Sequence, residues 1–116
     1  MAGSAFDVED ALGRLMNNKN LYKKLLDKFG AGYGDYEEKV RAAFGADNFE
    51  DAVHLSHTMK GLAGNLGAVS LQEASLDLEV IAKGGARTDE LDGALDRFSA
   101  ELRRVLDEVA EGVKLD

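Results

Sequence analysis

Apolar residues recur three and four positions apart along most of this chain, and no stretch alternates as a half-buried strand would. The pattern predicts helices throughout. Asp7 is placed to cap a short first helix with Val8, Leu12, Leu15 and Met16 on one side, ended by Asn17-Asn18. A second stripe runs through Leu21, Tyr22, Leu25, Leu26 and Phe29 to Tyr33, Tyr36, Val40, Ala43 and Phe44. Gly30, Gly32 and Gly34 interrupt it, which predicts a break near Gly32–Asp35. Gly45-Ala-Asp-Asn48 reads as a turn with Asn48 as N-cap. The next helix carries Ala52, Leu55, Ser56, Met59, Ala63 and Leu66 towards the core.

Ser70-Leu-Gln-Glu73 has the form of a capping box and predicts a further helix with Leu71, Ala74, Leu78 and Ile81 inside, closed by Gly84-Gly85. Thr88-Asp-Glu opens the last helix, whose seam is Leu91, Leu95, Phe98, Leu102, Val105 and Val109. Long helices with short connections fold back on their neighbours. The fold class expected is therefore all-α, an antiparallel up-down-up-down four-helix bundle with the short N-terminal helix as a lid on one end. Residues 1–116 are expected to form one domain, with residues 1–5 disordered.

Composition narrows the function. The 116 residues include no proline, which suits uninterrupted helices, and no cysteine, which excludes disulfides, thiolate metal sites and thiol nucleophiles. A net charge of −8 argues against nucleic acid as partner. No apolar run reaches the roughly 20 residues that span a bilayer, and the N-terminus lacks the form of a signal peptide. A cytoplasmic protein, or a cytoplasmic module of a longer chain, is expected.

The unusual stretch is His54-Leu-Ser-His-Thr-Met-Lys-Gly-Leu-Ala-Gly-Asn-Leu-Gly-Ala68, where glycine repeatedly replaces better helix formers beside titratable residues. With the core stripe fixed, the opposite face holds Glu50, His54, His57, Lys60, Gly61 and Gly64. Helical side chains lean towards the N-terminus, so Lys60 and Gly61 are the two residues that lie over His57. One supplies a cation and the other an opening, and Gly64 extends the bare strip. A neutral imidazole nitrogen is a good nucleophile near physiological pH. A phosphoryl group received there would favour a nearby ammonium, and a cleared flank would allow in-line approach of a donor. The reacting nitrogen would be Nε2, with Nδ1 hydrogen-bonded to fix the tautomer. On the following helix Gln72, Ser75 and Glu79 share one side, and Glu79 is placed to accept that proton.

His57-Thr-Met-Lys-Gly61, followed by Ala63, Asn65, Leu66 and Gly67-Ala68, and then by Leu71, Ala74 and Leu78-Glu79, resembles the histidine-containing phosphotransfer (HPt) module of bacterial and fungal phosphorelays. The resemblance is strong over residues 52–79; the flanking helices agree only in amphipathic character. It implies a helical bundle that shuttles phosphoryl groups between receiver-domain aspartates through one exposed histidine. Kinase activity of its own is not expected, because the chain has no nucleotide-binding glycine loop followed by Lys-Ser or Lys-Thr. It further implies His57 as the phosphorylated residue, Lys60 as the adjacent cation, Gly61 as the clearing glycine and Glu79 as the ring's polar partner. The implied partner is the receiver domain of a response regulator or hybrid histidine kinase. Mg²⁺ is expected in that receiver, no cofactor or metal in this chain, and a monomer in solution. Ser56 stands where the family more usually has a small apolar residue.

His54 has neither lysine nor glycine three and four positions on, so it is expected to be a rim residue that docks the partner, together with Gly64. Gln72 is expected to support the ring. Two other readings compete: a phosphate-independent adaptor that binds a receiver, and a metal site built from Glu50, His54 and His57. Against the metal, Lys60 would stand in the site as a repelling charge, and no second helix carries a matching Glu-x-x-His.

Overall fold

The computed structural model describes residues 4–115. Among these, six helices form: α1 (Val8–Arg14), α2 (Lys19–Gly32), α3 (Tyr36–Gly45), α4 (Phe49–Leu66), α5 (Val69–Lys83) and α6 (Leu91–Glu111). α4 and α5 make the most extensive pair, α6 packs on α5, and both α2 and α3 pack on α4 and α6. Thus α2 and α3 together form the fourth wall of the expected bundle, broken where the glycines predict. Phe29, Tyr33 and Tyr36 bridge the break, with ring centroids 4.9 and 5.6 Å apart in successive pairs.

The interior follows the apolar period. Tyr22, Val40, Phe44, Met59, Leu71, Leu78, Phe98 and Val105 are fully enclosed, and Leu91, Leu95 and Leu102 complete the α6 seam. Val109 at its end is only half-buried, as is Leu55 on α4. Ser56 is buried without cost in unpaired groups, because its hydroxyl donates to the Ala52 carbonyl one turn back at 2.6 Å.

Local signals at the helix ends held in part. Asp7, Asn18 and Asn48 each accept from the backbone N–H three residues on. The box at Ser70 does not form: α5 starts at Val69 with Ala68 as its cap residue and no side-chain cap. Gly67, at φ 76°, ends α4 in the left-handed region and turns the chain so sharply that α5 begins before Ser70 is reached. Thr88 likewise gives a turn, its carbonyl accepting from Leu91 N–H, and α6 opens after Glu90.

α1 does cover one end of the bundle. Asp7 N–H donates to the Gly67 carbonyl at 2.7 Å, tying the lid to the α4–α5 turn. Met16, expected on the buried side, is 91% exposed. The left-handed backbone at Met16 and Asn17 redirects the chain there and points that side chain outward. Of the segment expected to be disordered, residues 1–3 lie outside the described residues. Ser4 and Ala5 are in place, with Ala5 buried and its N–H donating to Glu108 at 2.8 Å.

Candidate functional site

His57 stands midway along α4, and its side chain is 65% exposed. Directly behind it α5 presents Glu79, whose side chain is only 3% exposed. Nδ1 of His57 lies 3.0 Å from Glu79 Oε2. A carboxylate in that position accepts the Nδ1 proton, holds the ring by its inner nitrogen and leaves the Nε2 lone pair outward. The bundle's topology makes this contact: the short turn after α4 folds α5 back alongside it, setting Glu79 behind the middle of α4.

Two ammonium groups share the same carboxylate. Lys60 Nζ approaches Oε1 at 2.7 Å and Lys83 Nζ approaches Oε2 at 3.2 Å. The Lys60 contact is an ion pair rather than a well-directed hydrogen bond, since buried Oε1 has no donor within hydrogen-bond geometry. Lys60 foremost, then Lys83 and His57, hold the Glu79 carboxyl down at about 2, against burial, which acts in the opposite direction. The carboxylate is therefore ionised at any physiological pH. Beside the ring, Gly61 is open: a side chain added there would meet nothing within 4 Å.

The structure thus brings His57, Lys60, Gly61 and Glu79 together. Gly64 and Gln72 are placed differently from expectation. Gly64 is buried rather than part of an exposed strip, and a Cβ there would stand 2.8 Å from Gln72 Nε2. The tight α4–α5 turn lays the first turns of α5 over the last turns of α4, so Gln72 covers Gly64, about two turns along α4 from His57. His54 is exposed one turn before His57. Among the described residues no group of three His, Asp or Glu side chains is gathered as a metal would require, so Glu50, His54 and His57 do not converge. Lys83 is absent from the sequence reading, although its signal was available: it stands four residues after Glu79, the spacing at which Glu and Lys meet on a helix.

The chain is thus an all-α bundle that exposes His57 over a buried carboxylate paired with two lysines. The family model "Hpt domain" matches residues 24–112, and the chain belongs to that family. It is a histidine phosphotransfer protein of phosphorelays, in which such domains work with receiver and kinase domains.

Two solved structures share the fold. The HPT domain from the Hpt sensor hybrid histidine kinase from Shewanella superposes with a TM-score of 0.81 at 18% identity, covering 92% of each chain. Histidine-containing phosphotransfer protein B (HptB) from Pseudomonas aeruginosa PAO1 gives a TM-score of 0.78 at 24% identity, covering 96% of this chain and 95% of that one. No curated protein sequence matches the chain. None of the helices among the described residues is long and apolar enough to cross a membrane.

Proposed function

We propose that His57 is the phosphoryl acceptor and that it exchanges the group with the aspartate of a receiver domain in a response regulator or hybrid histidine kinase. The observation that carries this reading is the 3.0 Å contact between Nδ1 and the buried Glu79 carboxylate behind an exposed ring. In the transfer, the Nε2 lone pair forms a bond to phosphorus as the bond from phosphorus to the aspartyl oxygen breaks, and the electron pair returns to the aspartate. Nδ1 keeps its proton, so the ring becomes positive as the phosphoryl group arrives. Glu79 faces that developing charge, as a carboxylate does behind a catalytic imidazole. Gly61 leaves the ring's flank clear for the incoming domain, and exposed His54 lies within reach of the same footprint.

In this reading the chain is a monomeric cytoplasmic carrier without autokinase activity or a bound cofactor. Mg²⁺ belongs to the receiver's acidic pocket, where it and the receiver supply most of the transition-state stabilisation. The test mixes the purified protein with a panel of phosphorylated receiver domains and Mg²⁺, following label onto wild type, His57→Gln and His54→Ala. Acid-labile label on wild type and His54→Ala, and none on His57→Gln, is the expected result. A receiver that binds His57→Gln as tightly as wild type while passing label to neither protein would establish the phosphate-independent adaptor instead.

A further inference from the structure

Two lysines hold one carboxylate, and they hold it differently. Lys60 is 29% exposed and sits at 2.7 Å on Oε1, the oxygen turned away from the ring's hydrogen bond. Lys83 is 64% exposed and sits at 3.2 Å on Oε2, the oxygen that also takes Nδ1. It is the last residue of α5, followed by Gly84 and Gly85.

From this asymmetry, and resting on the reading of His57 as acceptor, we infer that Lys83 is the mobile cation of the site. It leaves Glu79 to contact the phosphoryl group on His57, while Lys60 stays behind as the carboxylate's fixed counter-ion. Departure of Lys60 would strand a buried negative charge with an oxygen that has no other donor, which is a costly arrangement. Departure of Lys83 leaves Glu79 paired with Lys60 and still bonded to the ring. An exposed, longer ion pair contributes little and is easily given up. Two ammoniums against one carboxylate give the cluster one excess positive charge within a chain of net charge −8. That excess meets the dianionic phosphoryl group as it forms. Among the described residues, the groups that pair with the Glu79 carboxylate behind the ring are His57 and Lys60 from α4 and Lys83 from α5, and the division of labour is between the two lysines.

Phosphoramidate, a small phosphoryl donor that needs no partner protein, supplies the test. Wild type, Lys83→Ala, Lys83→Arg and Lys60→Ala are phosphorylated, and the ³¹P resonance of the phosphohistidine is followed against pH together with its rate of hydrolysis. A contacting ammonium favours the dianion, so loss of Lys83 should raise the phosphoryl titration midpoint by about half a pH unit. Hydrolysis in Lys83→Ala should differ from wild type by roughly 3-fold or more, the factor that half a pH unit represents, and Lys83→Arg should restore both values. Lys60→Ala should lower thermal stability while moving the ³¹P midpoint less than Lys83→Ala does.

A merely structural role for Lys83 at the helix C-terminus, where the dipole favours a cation, would leave the ³¹P titration unchanged and overturn the inference. So would a larger midpoint shift in Lys60→Ala than in Lys83→Ala. Phosphohistidine that forms on His57→Gln as it does on wild type overturns the acceptor assignment itself and this inference with it.

Discussion

Oε2 of Glu79 lies 3.0 Å from Nδ1 of His57, so the most buried charge near the site is bonded to one of its most exposed rings. The pairing couples ring orientation to a carboxylate whose side chain is only 3% exposed. Replacing the carboxylate by its amide keeps an oxygen that can accept from Nδ1 but removes the charge that faces the developing imidazolium. Glu79→Gln should therefore fold with an unchanged circular dichroism spectrum and accept phosphoryl groups from phosphoramidate roughly 10-fold or more slowly, by analogy with the loss when the carboxylate behind a metal-ligating histidine is removed. Equal rates for the two proteins would show that Glu79 only packs.

The same carboxyl makes stability depend on acid. Its folded value of about 2 lies below its ordinary value of 4.5, mainly because of Lys60. A group depressed on folding contributes stability that is present above its unfolded value and lost as pH falls through its folded value. The contribution is on the order of 3 kcal/mol at neutral pH and should vanish progressively between about pH 5 and pH 2. Urea denaturation of wild type and Glu79→Gln across this range provides the check. Wild type should lose more stability than the variant on acidification, and parallel curves would contradict the assignment.

Gly67 joins the lid to the site's two helices and tolerates no side chain. At φ 76° it occupies the left-handed region, and a Cβ would stand 2.5 Å from the Asp7 carbonyl oxygen and 3.1 Å from Ala11 Cβ. Backbone cannot yield there as a flexible side chain would. Gly67→Ala should cost roughly 2 kcal/mol or more, counting left-handed strain and displacement of α1. A chemical-denaturation midpoint equal to wild type's would show that α1 moves aside freely.

How far the site could be read in advance follows from the range of each contact. His57, Lys60 and Gly61 share one helix, so their proximity needs only the 3.6-residue period. Glu79 required the further step of pairing two helices, which the short connection at Gly67-Ala68 made plain. The burial of Gly64 beneath Gln72 depends on how closely those helices approach, and no local pattern encodes that distance. Met16 shows a different limit: its stripe position was apolar, but the left-handed backbone at Met16 and Asn17 turned it out of the core. At Ser70 a valid capping signal was overridden by a stronger one three residues earlier, the left-handed Gly67. Lys83 is legible at i+4 from Glu79, but it lies beyond the resemblance, which ends at residue 79.

Gly61 and Gly64 now separate access from packing. A Cβ at Gly61 meets nothing within 4 Å, whereas one at Gly64 meets Gln72 Nε2 at 2.8 Å, the movable end of a long side chain. Gly61→Ala should thus stabilise α4 slightly, by roughly 0.5–1 kcal/mol from helix propensity alone. Gly64→Ala gains the same propensity but must displace Gln72, and should come out near neutral. The functional contrast appears with a larger residue. Gly61→Gln should fold normally and accept phosphoryl groups from phosphoramidate at close to the wild-type rate, because a small donor can pass the added side chain. Transfer from a phosphorylated receiver should fall by 10-fold or more, since a domain cannot pass it and roughly 1.4 kcal/mol of lost transition-state contact suffices for each factor of ten. Measuring both donors on one variant separates the chemistry of His57 from access to it. A receiver that transfers to Gly61→Gln at the wild-type rate would place its docking footprint elsewhere on the bundle.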